Sequence, residues 1–348
     1  METYTGGSMS IRVFNDLASA CDYCEVIPER IPTHGQLIRV STVAHSRSKN
    51  GYMREFPDGA IFIGNWENGL EAIFSERSNR RLTKAEKEII RHEREREQRE
   101  AERAQRMTRE SVYRRLYAFF NSDFGAYPSV NMEWHGSPKH PYLERKAVEL
   151  TETIYECTRE NFEAVFGSNY QRLPDGRLLV FPLVRDGLNL VSAQFIDERG
   201  NKYFLRNGEM KGAYWPATFN PVDRGASPKI HIAEGVATLL SVLQKSEQRS
   251  GIFISCMNAG NIKPVAKAMR EQYPLAEIVL YADVDKPRDG HRYGVGIEKA
   301  LEAQLEVPNL TILAPPFTEA DNQKFRKVTG SEKAPTDWND FYLVRECA

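Results

Sequence analysis

The chain has 348 residues, enough for two or three domains with separate cores, and its 41% hydrophobic and 27% charged content excludes a fibrous or low-complexity class. A formal net charge of -1 confines any nucleic-acid contact to a local basic surface. No run reaches the roughly 18 apolar residues of a membrane span, and Met1 to Ser10 lacks a signal pattern, so the expectation is no membrane and a cytoplasmic location.

Residues 1–78 read as a small module containing β-strands. Gln36 to Val40 and Ala60 to Ile63 have strand character, and turns are signalled at Pro57 to Gly59 and at Glu67 to Gly69. Five scattered cysteines, an odd number, argue against a disulfide framework. Cys21 and Cys24 form a CxxC that His34 and His45 can in principle complete for zinc. There is no second CxxC and the spacing matches no standard finger, so no zinc site is expected.

Residues 79–110 are crowded with Arg, Lys and Glu and read as one long solvated helix linking domains. Thr83 with Glu86 has capping-box spacing, and Glu95 with Arg99 and Glu102 with Arg106 are favourably oriented i,i+4 pairs. Residues 111–227 read as an α+β lobe with basic character. Val112 to Phe120 has the period of an amphipathic helix. Leu178 to Val184, Leu190 to Ile196 and Lys202 to Leu205 read as strands of a meander, turned at Gly187 and at Arg199 and Gly200.

Residues 228–348 alternate strand and helix. Strands are expected at Lys229 to Ala233, Ile252 to Ser255, Ile278 to Ala282 and Leu310 to Leu313. Helices are expected at Val236 to Leu243, Pro264 to Arg270 and Gly296 to Leu305, which predicts a parallel sheet covered by helices.

Acidic residues stand where these strands end. Glu234 and Gly235 close the first strand, and Asp283 and Asp285 close the third. Asp337 and Asp340 come from a late loop. Residues two apart on an extended backbone face the same side, so Asp283 and Asp285 present hard oxygen donors together, a pattern suited to Mg²⁺ and phosphate. Glu234 on a neighbouring strand can complete a second metal position or accept a proton, and Asp337 and Asp340 can add outer carboxylates. Asn258, Gly260 and Asn261 follow the second strand, where a tight turn would expose backbone N–H groups. For any one acid alone, an exposed strand end or a helix cap is the commoner fate.

In this order the clusters resemble a Toprim domain, with a Rossmann-like parallel sheet and helices on both faces. The segments ahead of it, Tyr142 to Lys146, Val180 to Leu183, Lys202 to Phe204 and Lys211 to Tyr214, resemble the region before Toprim in primases related to the bacterial replicative family. Asp58, Gly59, Asn65, Trp66 and Gly69 ahead of a charged helix are closer to the phage and plasmid type. The resemblance implies a DNA primase, a nucleotidyltransferase of DNA replication. It would make short primers on a single-stranded DNA template from nucleoside triphosphates, in a bacterial host cell, with two Mg²⁺ or Mn²⁺ ions. It places Glu234, Asp283 and Asp285 in catalysis and, with Asp337 and Asp340, at the metals. Arg145, Lys146, Lys202, Arg206, Lys211, Asn258, Gly260 and Asn261 would hold nucleotide or template. A replicative helicase or single-strand-binding protein from another chain is the further partner implied.

The stretch before Glu234 is locally basic, with Lys202, Arg206, Lys211, Arg224 and Lys229 against Glu209 and Asp223. For Arg224 or Lys229 singly, a solubilising surface role is the simpler reading. The sequence departs from the replicative pattern in three ways. It has no complete zinc ribbon, the loop from Lys286 to Tyr293 is longer, and no GxxxxGK[ST] phosphate loop occurs. Two other readings use the same residues: a Toprim nuclease that cuts DNA, and a catalytically silent nucleic-acid-binding or inhibitory protein.

Overall fold

The structure, a computed structural model, describes residues 12–33, 35–46, 49–56, 58–76, 84–122, 127–128, 139–186, 189–218, 228–245, 250–287, 289 and 291–346, with backbone alone for 84–95, 97, 98, 127 and 128. Expectations resting on His34, Pro57, Thr83, Gly187, Asp223 and Arg224, and on the side chains of Glu86 and Glu95, lie outside the described residues. The chain divides into two compact units, Met1–Gln105 and Arg106–Ala348.

The first unit runs β1 (Arg12–Phe14), α1 (Leu17–Tyr23), β2 (Val26–Ile27), β3 (Leu37–Thr42), β4 (Gly51–Glu55), β5 (Ile61–Asn65) and β6 (Glu71–Phe74). The strands form one sheet in the order β1-β6-β5-β4-β3-β2, antiparallel except where β1 joins β6. Side chains alternate between its faces, so Ile38, Val40, Met53, Ile61, Ile63 and Ala72 pack together on one side, with Ala20 and Cys21 of α1 against them. Asp16 starts α1 by accepting the Ser19 N–H at 2.8 Å. Cys21 and Cys24 belong to this core, 3% and 0% exposed. Burial pushes their thiols up, Cys21 to about 11 and Cys24 to about 12, and Cys24 Sγ donates to the Ile63 carbonyl at 3.6 Å. His45 is committed elsewhere, with Nδ1 2.7 Å from Glu67 Oε1.

Helix α2 (Lys84–Asn121) is continuous over 38 residues. The expected charged linker and the expected amphipathic helix from Val112 are therefore a single element, since no Gly or Pro separates them. Side chains from Arg99 to Ser111 are exposed, whereas Val112, Leu116 and Phe119 are buried.

The second unit continues with β7 (Tyr127–Pro128), α3 (Pro141–Lys146), β8 (Tyr155–Thr158), α4 (Arg159–Phe166), β9 (Arg177–Arg185), β10 (Asn189–Asp197) and β11 (Lys202–Phe204). These strands form an antiparallel sheet, β11-β10-β9-β8-β7, that contains the expected meander. One face, with Leu178, Val180 and Phe195, packs on Leu116 and Phe119 of α2 and Phe162 and Phe166 of α4. The other, with Leu179, Phe181, Leu183 and Ile196, joins the core of a second sheet.

That second sheet is built from β12 (Trp215–Pro216), β13 (Lys229–Ala233), α5 (Val236–Lys245), β14 (Ile252–Ser255), α6 (Ile262–Gln272), β15 (Glu277–Tyr281), α7 (Val295–Glu306) and β16 (Leu310–Leu313), followed by α8 (Glu319–Thr329) and α9 (Trp338–Glu346). Its order is β12-β14-β13-β15-β16, parallel apart from β12. Ile230, Ile232, Ile254, Ile278 and Leu280 face α6 and α7. Ala233, Phe253, Val279 and Tyr281 face α5, with Trp338 and Tyr342 of α9 beside it. The unit is thus mixed α/β, with helices on both faces of a largely parallel sheet. No helix among the described residues is long and apolar enough to cross a membrane.

Candidate active site

The strand order places the acidic residues. The second parallel strand, β14, lies on one side of β13 and the third, β15, on the other, so the chain reverses direction across the sheet at β13. Crevices at the carboxyl ends of strands open at such points. Register pairs Ala233 with Tyr281, which makes Glu234 and Asp283 leave neighbouring strands almost level. The Val284 N–H donates to the Thr336 carbonyl at 2.7 Å, drawing the segment before α9 against the end of β15. That contact brings Asp337 to the same place. Asp340 is not a loop residue as expected but lies in the first turn of α9, and Asp337, in the segment just ahead of that helix, accepts the Asp340 N–H on Oδ1 at 2.8 Å in the manner of a helix cap.

Two glycines let α7 approach this acidic end. A Cβ on Gly296 would lie 2.6 Å from the Asp283 carbonyl oxygen, and one on Gly294 2.1 Å from that of Asp285. Only residues without a side chain fit there.

Glu234, Asp283 and Asp337 line a cleft of about 310 Å³, with Arg145, Lys146, Arg199 and Lys202 on its rim. Asp283 Oδ1 is buried and accepts no hydrogen bond from the described residues. Burial, with Asp337, Glu234 and Asp285 around it, pushes the Asp283 carboxyl up to about 8, and Lys202 opposes the shift. Glu234 is also raised, by burial and then by Asp285, although Lys202 and the Ala259 N–H favour its charged form. Asp340 rises through burial and Asp337. Its Oδ2 accepts the Thr336 N–H at 3.0 Å and its Oδ1 lies 3.9 Å from Lys146 Nζ.

The cationic rim comes from three elements. Arg145 and Lys146 close α3, a short helix begun by His140 and Pro141. Lys202 and Arg199 flank the β10–β11 turn. Asp197 stiffens that turn by accepting the Arg199 and Asn201 N–H groups at 3.0 and 2.8 Å and the Asn201 amide at 2.8 Å. Gly200 in the turn has φ +91°, and its Cβ would meet the Tyr142 ring at 3.3 Å. The turn is thereby seated on α3. Gly235 leaves the Lys202 ammonium 4.0 Å from where its Cβ would stand.

Not every expected residue reaches the cleft. Arg206 turns away, donating from Nη1 to the Tyr170 carbonyl at 3.2 Å, and Lys211 does not line it. Asn261 is buried, its amide used by backbone. Oδ1 accepts the Gly212 N–H at 2.7 Å, and Nδ2 donates to the Ala213 and Cys256 carbonyls at 2.6 and 3.1 Å. Asn258 and Gly260 flank Ala259, the residue whose N–H meets Glu234. Asp285 is exposed beside the cleft. Arg199, read from sequence as a turn residue only, is the rim cation that sequence reasoning missed; its signal was a hairpin turn that also leads into Lys202.

A divalent cation suits this donor set. Clustered carboxylates raise one another's pKa, and an orphaned buried carboxylate oxygen has no protein donor to satisfy it. Among the described residues, no three Asp, Glu, His or Cys side chains already converge as a metal-holding group.

Over 131 residues, 37% of this chain, the sequence is 29% identical to DNA primase TraC of Escherichia coli. The chain resembles DNA primases of the phage and plasmid type. It spans only 9% of that relative's length. No family model matches. The primase fragment of the bacteriophage T7 primase-helicase superposes with a TM-score of 0.36 at 17% identity, covering 58% of this chain and 64% of that one. A structure of the T7 lagging-strand DNA polymerase interacting with primase domains gives 0.31 at 20% identity, over 40% and 66%. At these scores neither superposition defines a common fold.

Proposed function

We propose that the chain is a DNA primase of phage or plasmid type whose second unit ends in a Toprim catalytic domain. It would join nucleotides on single-stranded DNA, with pyrophosphate leaving. The observation that carries this reading is the pairing of an acidic cluster, in which the buried Asp283 Oδ1 has no partner among the described residues, with a cationic rim in one cleft. The similarity to a curated primase supports the same reading.

In this proposal Glu234, Asp283 and Asp285 hold two Mg²⁺ or Mn²⁺ ions, with Asp337 and Asp340 behind them. Bound there, the ions would lower the pKa of the attacking 3′-hydroxyl and offset charge at the reacting phosphate. Lys202, Arg199, Arg145 and Lys146 would orient the triphosphate, and Glu234, in place of ligating a second ion, could accept the hydroxyl proton. Asn258 and Gly260 would shape the floor, and Asn261 would position the loop that carries them. Arg206 and Lys211, outside the cleft, would act on template backbone. A helicase or single-strand-binding protein would come from another chain.

The test is incubation with single-stranded DNA, Mg²⁺ or Mn²⁺ and labelled nucleotides. The parent should give short labelled oligonucleotides and Asp283→Asn none. Product from Asp283→Asn, or cutting of the template in place of synthesis, would remove the proposal.

A further inference from the structure

The first unit has one face of its sheet covered by α1, and the opposite face carries a pattern that packing does not require. Register sets Arg39 opposite Tyr52, Tyr52 opposite Gly64, and Arg54 opposite Phe62. A Cβ at Gly64 would fall 2.2 Å from Tyr52 Cζ, so the tyrosine ring lies flat across the glycine, its hydroxyl donating to Glu71 at 2.6 Å. Trp66 stacks on Tyr52 with centroids 4.7 Å apart, and the Arg39 guanidinium stands 5.1 Å from the Trp66 ring. Phe62 continues the surface 5.9 Å from Tyr52.

An aromatic that served only to fill a core would be covered, yet Trp66 is 53% exposed. The two arginines form no ion pair among the described residues and stand over rings instead, Arg39 exposed over Trp66 and Arg54 half-buried over Phe56, so both charges face an aromatic surface. Glu71, at the start of β6 on this face, is engaged by the Tyr52 hydroxyl. Rings offer faces to unpaired bases, and planar guanidinium groups offer bidentate donors to phosphate. A duplex hides its base faces and would gain only the charge.

We infer that this open sheet face binds single-stranded nucleic acid, with bases stacking at Trp66 and Phe62 and phosphates at Arg39 and Arg54. The inference deepens the primase reading by supplying a template contact, but it rests on the first unit and not on the acidic cleft.

The experiment uses the full chain and a fluorescent dT20 strand, followed by anisotropy without nucleotides or divalent metal and over a salt series. Trp66→Ala should weaken binding about 5- to 150-fold, the range for losing one stacked base, while Trp66→Phe largely restores it. Arg39→Gln with Arg54→Gln should reduce the salt slope by about 1.4, at about 0.7 per phosphate on a single strand. Thermal melting checks that each variant is folded, and these surface changes should leave it intact. Variants that melt and bind as the parent does would overturn the inference, as would a parent that holds a duplex as tightly as the single strand. Primer synthesis by a parent whose Trp66→Ala form binds normally would sink this inference and leave the primase reading standing. Face-dependent binding without any primer would do the reverse.

Discussion

At the scale of single residues, the cleft depends as much on what is missing as on what is charged. Gly296 admits α7 to within contact of the Asp283 backbone, so Gly296→Ala should force the acidic strand end to move. The expected cost is about 1–3 kcal/mol in denaturant unfolding, with loss of whatever activity the parent shows; wild-type stability would mean that the helix slides freely. His231 gives a pH signature. Its ring is buried between Phe253, stacked 4.2 Å away, and the Tyr281 hydroxyl at 3.0 Å, and burial pushes its pKa down to about 4. The unfolded chain, with a value near 6.5, binds the proton more readily. This residue's contribution to stability is therefore whole above about pH 6.5 and is lost as pH falls toward 4, at up to about 1.4 kcal/mol per pH unit. His140, also depressed by burial, acts in the same direction, so His231→Gln should flatten the slope without abolishing it. An unchanged slope would show that the imidazole does not resist protonation.

Among elements, α2 shows what charge patterning reveals and what it hides. The run of Arg and Glu identified a helix, and the apolar spacing of Val112, Leu116 and Phe119 identified a buried face. The sequence contained no stop between them, and treating them as separate helices overlooked that absence. Protease should cut between about Glu93 and Arg109, where opening a solvated helix costs little, and leave a C-terminal fragment anchored by Leu116 and Phe119. Fragments that begin after Phe119 would contradict that anchoring. The parallel strands were legible because each is a short apolar run, closed by Glu234 and Gly235 after β13, Asn258 and Gly260 beyond β14, Asp283 after β15 and Pro315 and Pro316 after β16. Helices α8 and α9 were not, since their apolar positions are sparse and their caps, Thr318 with Asp321 and Asp337 with Asp340, look in sequence like isolated polar residues.

For the molecule as a whole, the proposed site is assembled from segments far apart in sequence: α3, the β10–β11 turn, the ends of β13 and β15, and the start of α9. Sequence order alone named Glu234, Asp283 and Asp337 for this cleft. It was silent about Arg199 and placed Arg206 nearer than it lies, because which way a hairpin turns its ends is set by packing on α3 and α4. If divalent ions bind here they should stabilise the second unit, by about 2.7 kcal/mol at a hundredfold excess over Kd. Mg²⁺ or Mn²⁺ should therefore raise the melting temperature of the parent and leave Asp283→Asn unmoved; equal shifts in both would place the ions elsewhere. Asn261 carries a different lesson. Its side chain must accept one backbone N–H and donate to two carbonyls while buried from solvent. Aspartate cannot donate, leucine can do neither, and glutamine is a methylene too long. In a saturation library selected for folded protein, position 261 should come through almost unvaried, a single-letter island among tolerant neighbours.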